Sequence, residues 1–254
     1  MNIRVVIEYK GTKYFGWQKQ KSHNTVQAEI EKTLKILFPD QPIKLIGASR
    51  TDRGAHAINQ TAHFKIEENS ITLRRFKRSI NGLLPKDIRV IRINKVPLEF
   101  HSRYHCKTKV YYYYILNRKE TSPFLDDYVW HIPIKLNWKK IKTSLKLLKG
   151  LHNFSFFAAK GSSAHTSVCR LKKLQIKKVN RFLGSLQIKN LYMFEFKGDF
   201  FLYKMVRNIV GTLIEIGKNR LSIRELRALL SGKKIRRPIK TAPAKGLFLG
   251  KITY

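Results

Sequence analysis

The sequence predicts an α+β fold made of two similar lobes with mainly antiparallel sheets and helices on one side. Three observations carry that expectation. The first hundred residues read as strand, helix, strand, strand, helix, strand; the second half repeats the outline; and no low-complexity linker divides the halves. Helices that cover one side of an antiparallel sheet make one α+β layer pair per half. The lobes are expected over 1–105 and 106–254, packed with a cleft between them.

Each element has its own signal. Ile3, Val5, Ile7 and Tyr9 share one face of a strand over 2–9. The loop over 10–18 holds Tyr14, Phe15 and Trp17 among glycines and cations. Such aromatics can stack on bases while the lysines hold phosphates, or Phe15 and Trp17 can pack under the loop as core. Asn24 with Gln27 reads as a capping box. Val26, Ile30, Leu34 and Leu37 then mark one face of a helix that Pro39 ends. Strands follow over 43–48 and 57–66. Thr72 opens a second helix with Leu73, Phe76, Ile80 and Leu83 inward, while Arg74, Arg75, Lys77 and Arg78 crowd its other faces. That run is a solvated face or a track for a phosphate backbone. Pro85 ends the helix, and 88–93 is a strand.

In the second half, 109–116 carries four consecutive tyrosines of high β propensity. On a strand Tyr111 and Tyr113 share one face and Tyr112 and Tyr114 the other, so one pair can meet a cleft and the other the core. Asn137 caps a helix bearing Ile141, Leu145 and Leu148, stopped by Gly150. A polar loop over 160–167 precedes strands over 168–179 and 186–196, joined by a hairpin turn over 180–184. After Gly198-Asp199 comes a helix with Leu202, Met205, Val206, Ile209, Val210, Leu213 and Ile214, and Arg207 among them. An arginine beside an apolar stripe needs a carboxylate or a water channel, unless it snorkels at the stripe's edge. A short helix over 223–230 and a last strand over 247–254 complete the chain.

Composition narrows the partners. The 254 residues include 52 Lys plus Arg against 16 Asp plus Glu, a net charge of +36. A field of that strength favours an anionic partner: nucleic acid, an anionic membrane surface or a polyanion. Basic residues run through the whole chain rather than forming a tail, which points to nucleic acid. The abundance of Lys, Ile and Asn can equally reflect an AT-biased genome. Cys106 and Cys169 are far apart and in no metal-ligand spacing, as in a reducing, cytoplasmic setting. His101 and His105 lack a nearby acidic third ligand, so no metal site is expected. Neither a signal peptide nor a run of about eighteen apolar residues is read, so no membrane span is expected.

The stretch Gly47-Ala48-Ser49-Arg50-Thr51-Asp52-Arg53-Gly54-Ala55-His56-Ala57 is the first candidate for chemistry. It sets one carboxylate, Asp52, between two arginines in an acid-poor chain. A surface turn in which Asp52 caps a helix or offsets Arg50 and Arg53 reads equally well from spacing.

From Arg50 to Ala57 this stretch resembles the Arg-Thr-Asp-x-Gly-Val-His-Ala signature of the tRNA pseudouridine synthase A family. The likeness extends in order through Tyr9-Lys10-Gly11-Thr12-Lys13-Tyr14-Phe15-Gly16-Trp17-Gln18, Phe100-His101-Ser102-Arg103, Lys109-Val110-Tyr111-Tyr112-Tyr113 and Phe154-Ser155-Phe156. It continues in Met205-Val206-Arg207-Asn208-Ile209-Val210-Gly211 and Thr241-Ala242-Pro243-Ala244, followed by Gly246-Leu247. The resemblance implies a homodimeric enzyme without cofactor or metal. It would isomerise uridine to pseudouridine at positions 38, 39 and 40 of the tRNA anticodon arm, in a cleft between two α+β lobes. By matched position Asp52 is the catalytic carboxylate and nucleophile, Arg207 its cationic partner, Tyr111 the residue that packs on the base, and Arg50 a residue that fills the space the base leaves. His56 drops to a loop-packing role. Arg53 stands where many members carry Ala, so it contacts phosphate or shifts the loop; Phe200 stands where a small residue is usual. A basic RNA-binding protein without turnover, or a synthase for another RNA, are the competing readings.

Overall fold

The computed structural model describes residues 1–67, 72–161, 165–182 and 186–254. Parts of the polar loop over 160–167 and of the hairpin turn over 180–184 therefore lie outside the described residues. The chain divides into two compact units: Met1–Lys107 with Phe248–Tyr254, and Thr108–Leu247.

In the first unit the strands are β1 (Asn2–Tyr9), β2 (Ile46–Gly47), β3 (His56–Lys65) and β4 (Ile88–Val96), with helices α1 (Val26–Leu37) and α2 (Leu73–Leu83). β1 pairs antiparallel with β3, Ile3 opposite Phe64 and Val5 opposite Ala62, and antiparallel with β4 on its other side. Ile3, Ile7, Ile30, Leu34, Phe64, Phe76 and Ile80 are fully buried and form the core of this α+β layer pair. The edge of Phe76 meets Phe64 and Phe38, with centroids 6.1 and 5.4 Å apart, so α2 is locked to the sheet and to the end of α1. The chain's last strand pairs parallel with β3 here, Phe248 opposite His56 and Leu249 opposite Ala57. Phe248–Tyr254, assigned from sequence to the C-terminal lobe over 106–254, groups with the first unit, where Phe248 and Leu249 pair with β3.

In the second unit lie β5 (Thr108–Leu116), β6 (Trp130–His131), α3 (Trp138–Leu147), β7 (Gly150–Asn153), β8 (Val168–Phe182), β9 (Leu186–Gly198), α4 (Met205–Gly217) and α5 (Ile223–Leu230); the last strand of the chain is β10 (Leu247–Thr253). β5, β9, β8 and β7 pair antiparallel in that order, and β6 runs parallel beside β5. Of the thirteen residues of α4, only Arg207 and Glu215 reach solvent in part. A helix apolar nearly all round is a core helix.

Among the boundaries that differ from the sequence reading, three have a cause visible in the structure. The strand expected over 43–48 shrinks to Ile46–Gly47. Side chains of α1 claim the preceding backbone: Gln27 Nε2 donates to Leu45 O at 2.9 Å, and Leu45 N donates to Glu31 Oε1 at 3.3 Å. The cap of α1 is Thr25, whose hydroxyl accepts from Ala28 N at 3.3 Å, not Asn24. Gln27 cannot close a box with Asn24, because its Oε1 accepts from Gln18 Nε2 and Lys19 N at 2.8 and 3.1 Å. The helix after Gly198-Asp199 starts only at Met205, since Lys204 before it is left-handed with φ of 58°.

Thr25→Ala is expected to lower stability by about 1 kcal/mol, the usual effect of losing an N-cap. Asn24→Ala is expected to leave it nearly unchanged, because Asn24 is exposed and its backbone carbonyl, which accepts from Phe15 N, survives the substitution. Urea unfolding of both variants checks this; equal losses would contradict the cap assignment.

Candidate active site

Asp52 sits half-buried at the middle of the loop that joins β2 to β3. The segment after β1 straps this loop down. Trp17 N donates to Thr51 O at 3.2 Å, Gly54 N donates to Tyr14 O at 3.1 Å, and the Tyr9 and Thr51 hydroxyls are 2.7 Å apart. Within the loop Ala55 N donates to Asp52 O at 3.0 Å. The approach is too close for side chains. A Cβ on Gly11 would stand 1.8 Å from Ala55 O, and one on Gly16, at φ +86°, 2.4 Å from Thr51 O. These two positions therefore require glycine, for space at Gly11 and for space and backbone conformation at Gly16.

The strap is held in turn. Tyr14 is buried, and its hydroxyl donates to Asp87 Oδ1 at 2.5 Å. Burial and that carboxylate push the Tyr14 hydroxyl well above its usual pKa. Lys10 N donates to Asp87 O at 2.9 Å. Trp17 is 1 % exposed. Of the two roles open to the aromatics over 10–18, Tyr14 and Trp17 take the core one. His56 is buried as expected of a loop-packing residue: Nδ1 accepts from Gly11 N at 3.0 Å, and its ring stacks on Phe248 with centroids 4.6 Å apart. A ring whose Nδ1 accepts carries its proton on Nε2.

A second anchor lies at the foot of β2. Ser102 Oγ donates to Ile46 O at 2.7 Å, Ser102 N donates to His63 Nδ1 at 3.2 Å, and Tyr254 Oη donates to Ser102 O at 2.9 Å. Burial, with His101, Lys65 and His105 nearby, brings the pKa of His63 down to about 4. Among the described residues no group of three or more His, Cys, Asp or Glu is placed to hold a metal ion.

Arg50 is exposed on the same loop as Asp52. Tyr111 and Arg207 belong to the second unit. Tyr111 is 6 % exposed and meets the edge of Phe201, centroids 4.9 Å apart, while Tyr113 on the same face is fully buried. The alternation of the four tyrosines holds: Tyr112 and Tyr114 on the other face are half-buried. Tyr113 Oη donates to Pro243 O at 2.7 Å, and burial raises its pKa strongly against the opposing charge of Arg207. Arg207, half-buried near the start of α4, donates from Nε to Ala242 O at 2.7 Å, and Ala242 N donates back to Arg207 O at 3.1 Å. With Nε so engaged, its Nη groups are the ones suited to a carboxylate. Thr241 Oγ1 donates to Asn208 Oδ1 at 2.7 Å and Asn208 Nδ2 donates to Phe157 O at 2.8 Å, fixing the same segment to α4. The anchoring roles of Asp87, Phe201, Asn208 and Ser102 escaped sequence reading. Each acts through a partner distant in sequence, and no local spacing signals it.

Two outcomes test this geometry. Gly11→Ala is expected to cost about 1–3 kcal/mol, as overpacking does, seen as a lower urea midpoint; a wild-type midpoint would contradict the close approach to Ala55. Because His63 titrates lower in the folded chain than its usual 6.5, the unfolded chain binds that proton more tightly. The associated stability is complete above about pH 6.5 and drains away as pH falls towards 4. The loss between pH 7 and 5 is expected to be smaller in His63→Gln than in wild type; identical pH dependence would rule His63 out as its source.

Comparison with known proteins identifies the family. Residues 5–105 and 145–254 match the family model described as tRNA pseudouridine synthase. The chain is 39 % identical over 253 residues to tRNA pseudouridine synthase A of Acetivibrio thermocellus, covering 100 % of this chain and 99 % of that one. It is 39 % identical over 264 residues to the protein of the same name from Thermodesulfovibrio yellowstonii, covering 100 % of both. It is 40 % identical over 253 residues to that of Thermoanaerobacter sp., covering 100 % and 99 %. With both units matched and the Asp52 loop inside the match, the chain belongs to the tRNA pseudouridine synthase family.

Proposed function

We propose that this chain is an isomerase that converts uridine to pseudouridine in tRNA, at positions 38, 39 and 40 of the anticodon stem and loop. The observation that carries the reading is the Asp52 loop. Its residues match the family signature, and its backbone is strapped so that one carboxylate stands at its centre. The reaction breaks the N1–C1′ bond, turns the uracil and joins C5 to C1′; the C5 proton leaves and N1 gains one, so composition is unchanged. A stacked base cannot make that turn, so the uridine must leave the stem for a pocket.

Asp52 acts as the nucleophile of this reaction. Arg207 is its counter-charge. Tyr111, its ring steadied by Phe201, packs on the base and assists loss of the C5 proton. Arg50, exposed on the same loop, fills the place the base leaves. The protein works as a cytoplasmic homodimer without a cofactor. No helix among the described residues is long and apolar enough to cross a membrane. The +36 charge suits a polyanionic substrate held by phosphate contacts.

Tritium release from tRNA labelled at uridine C5 tests the reading. Wild type is expected to release tritium at catalytic protein levels, and Asp52→Ala to lose at least about a thousandfold. Binding of tRNA without release by wild type would favour the non-catalytic reading instead. Arg207→Ala is expected to lower kcat about ten- to a hundredfold, the effect of a half-buried carboxylate losing a charge-assisted partner. An unchanged kcat would remove Arg207 from the machinery.

A further inference from the structure

We propose that Arg53 is an RNA-gripping group set beside the candidate nucleophile, its guanidinium held on the Phe15 ring to bind a backbone phosphate of the strand that carries the target uridine. This inference rests on the tRNA-modifying reading above.

Arg53 follows Asp52 directly and is exposed. Its Cζ lies 4.0 Å from the centroid of the Phe15 ring, close contact for a cation on an aromatic face. Among the described residues, no carboxylate lies in ion-pair range of Arg53 and no hydrogen bond engages its guanidinium. Phe15 is itself a fixed platform. Its N–H donates to Asn24 O at 2.8 Å, its ring is 4.0 Å from that of His23, and its neighbours Tyr14 and Gly16 belong to the strap under the Asp52 loop.

Chemistry follows from that placement. An arginine in solvent loses rotamer freedom when it binds, and a ring contact removes part of that freedom beforehand. The N–H donors of a guanidinium form a planar fork that matches the two oxygens of a phosphate, and no protein group occupies that of Arg53 among the described residues. A carboxylate would serve as well in geometry, but the partner of a chain with 52 basic and 16 acidic residues is a polyanion. Strapping of the loop by backbone bonds also means that Arg53 is not required to shape it. Arg53 is therefore a binding residue and Phe15 its positioning residue.

The test uses wild type, Arg53→Ala, Arg53→Gln, Arg53→Lys, Phe15→Leu and Phe15→Tyr with an unmodified tRNA transcript carrying uridine at position 39. Equilibrium binding and steady-state turnover are measured across a salt series. Arg53→Ala is expected to raise Kd and KM about tenfold, with kcat within about twofold, and to flatten the slope of log affinity against log salt by about one. Arg53→Gln, uncharged but of similar reach, is expected to behave like Ala and stands in for it should Ala fold poorly. Arg53→Lys is expected to keep the slope but not the full affinity. Phe15→Leu is expected to weaken binding at an unchanged slope, and Phe15→Tyr to restore it. Wild-type KM and slope in the two uncharged variants would overturn the proposal, and so would a fall in kcat at wild-type KM, which marks a loop-shaping residue. If wild type binds tRNA without turnover while the uncharged variants still bind less tightly with a flatter slope, the isomerase reading fails and the phosphate grip stands.

Discussion

The contact between Gly11 and the backbone of Ala55 is the constraint on which the candidate site depends. It lets the chain after β1 lie directly against the loop between β2 and β3, with room for no side chain between them. Once there, Tyr14 and Trp17 supply backbone bonds to Gly54 and Thr51, and Gly11 N reaches His56. The loop is thereby held on both sides of Asp52 by groups that belong to the core. A catalytic carboxylate benefits from such support, since a group already in place does not spend binding energy on being ordered. Asp87 and Ser102 extend the support outwards, one under the strap and the other under β2.

The second unit meets a different problem. α4 is buried nearly all round yet carries Arg207 in its first turns. The fold resolves it by laying 241–243 along the helix, so that Ala242 accepts the Nε proton and Asn208 and Thr241 close the packing. The guanidinium then has a fixed plane and direction. An arginine that merely snorkels from an apolar stripe would need no such partners. Tyr113, pinned to Pro243, ties the same segment to β5 beside Tyr111.

Much of this was legible in the sequence because the signals were local. Alternating apolar residues marked β1, Thr72 and Asn137 marked helix starts, and the stretch from Arg50 to Ala57 marked the loop. What escaped depended on distant partners. The strand expected over 43–48 was lost to Gln27 and Glu31 of α1. The Asn24 box gave way to Thr25 because Gln27 was engaged elsewhere. Phe248–Tyr254, read by chain order as part of the second lobe, groups with the first unit, where it pairs with β3. Trp17 could be read as a base-stacking or a core residue, and only its burial beneath the loop separates the two.

The Asp52 loop is fixed before any RNA arrives. Amide hydrogen exchange of the free protein measures this most directly, at Trp17 N–H and Gly54 N–H. Both are predicted to exchange as slowly as the amides of the β1–β3 ladder, since opening them requires the strap to lift from the core. Exchange at the rate of unprotected loop amides would show that the loop is not held in advance.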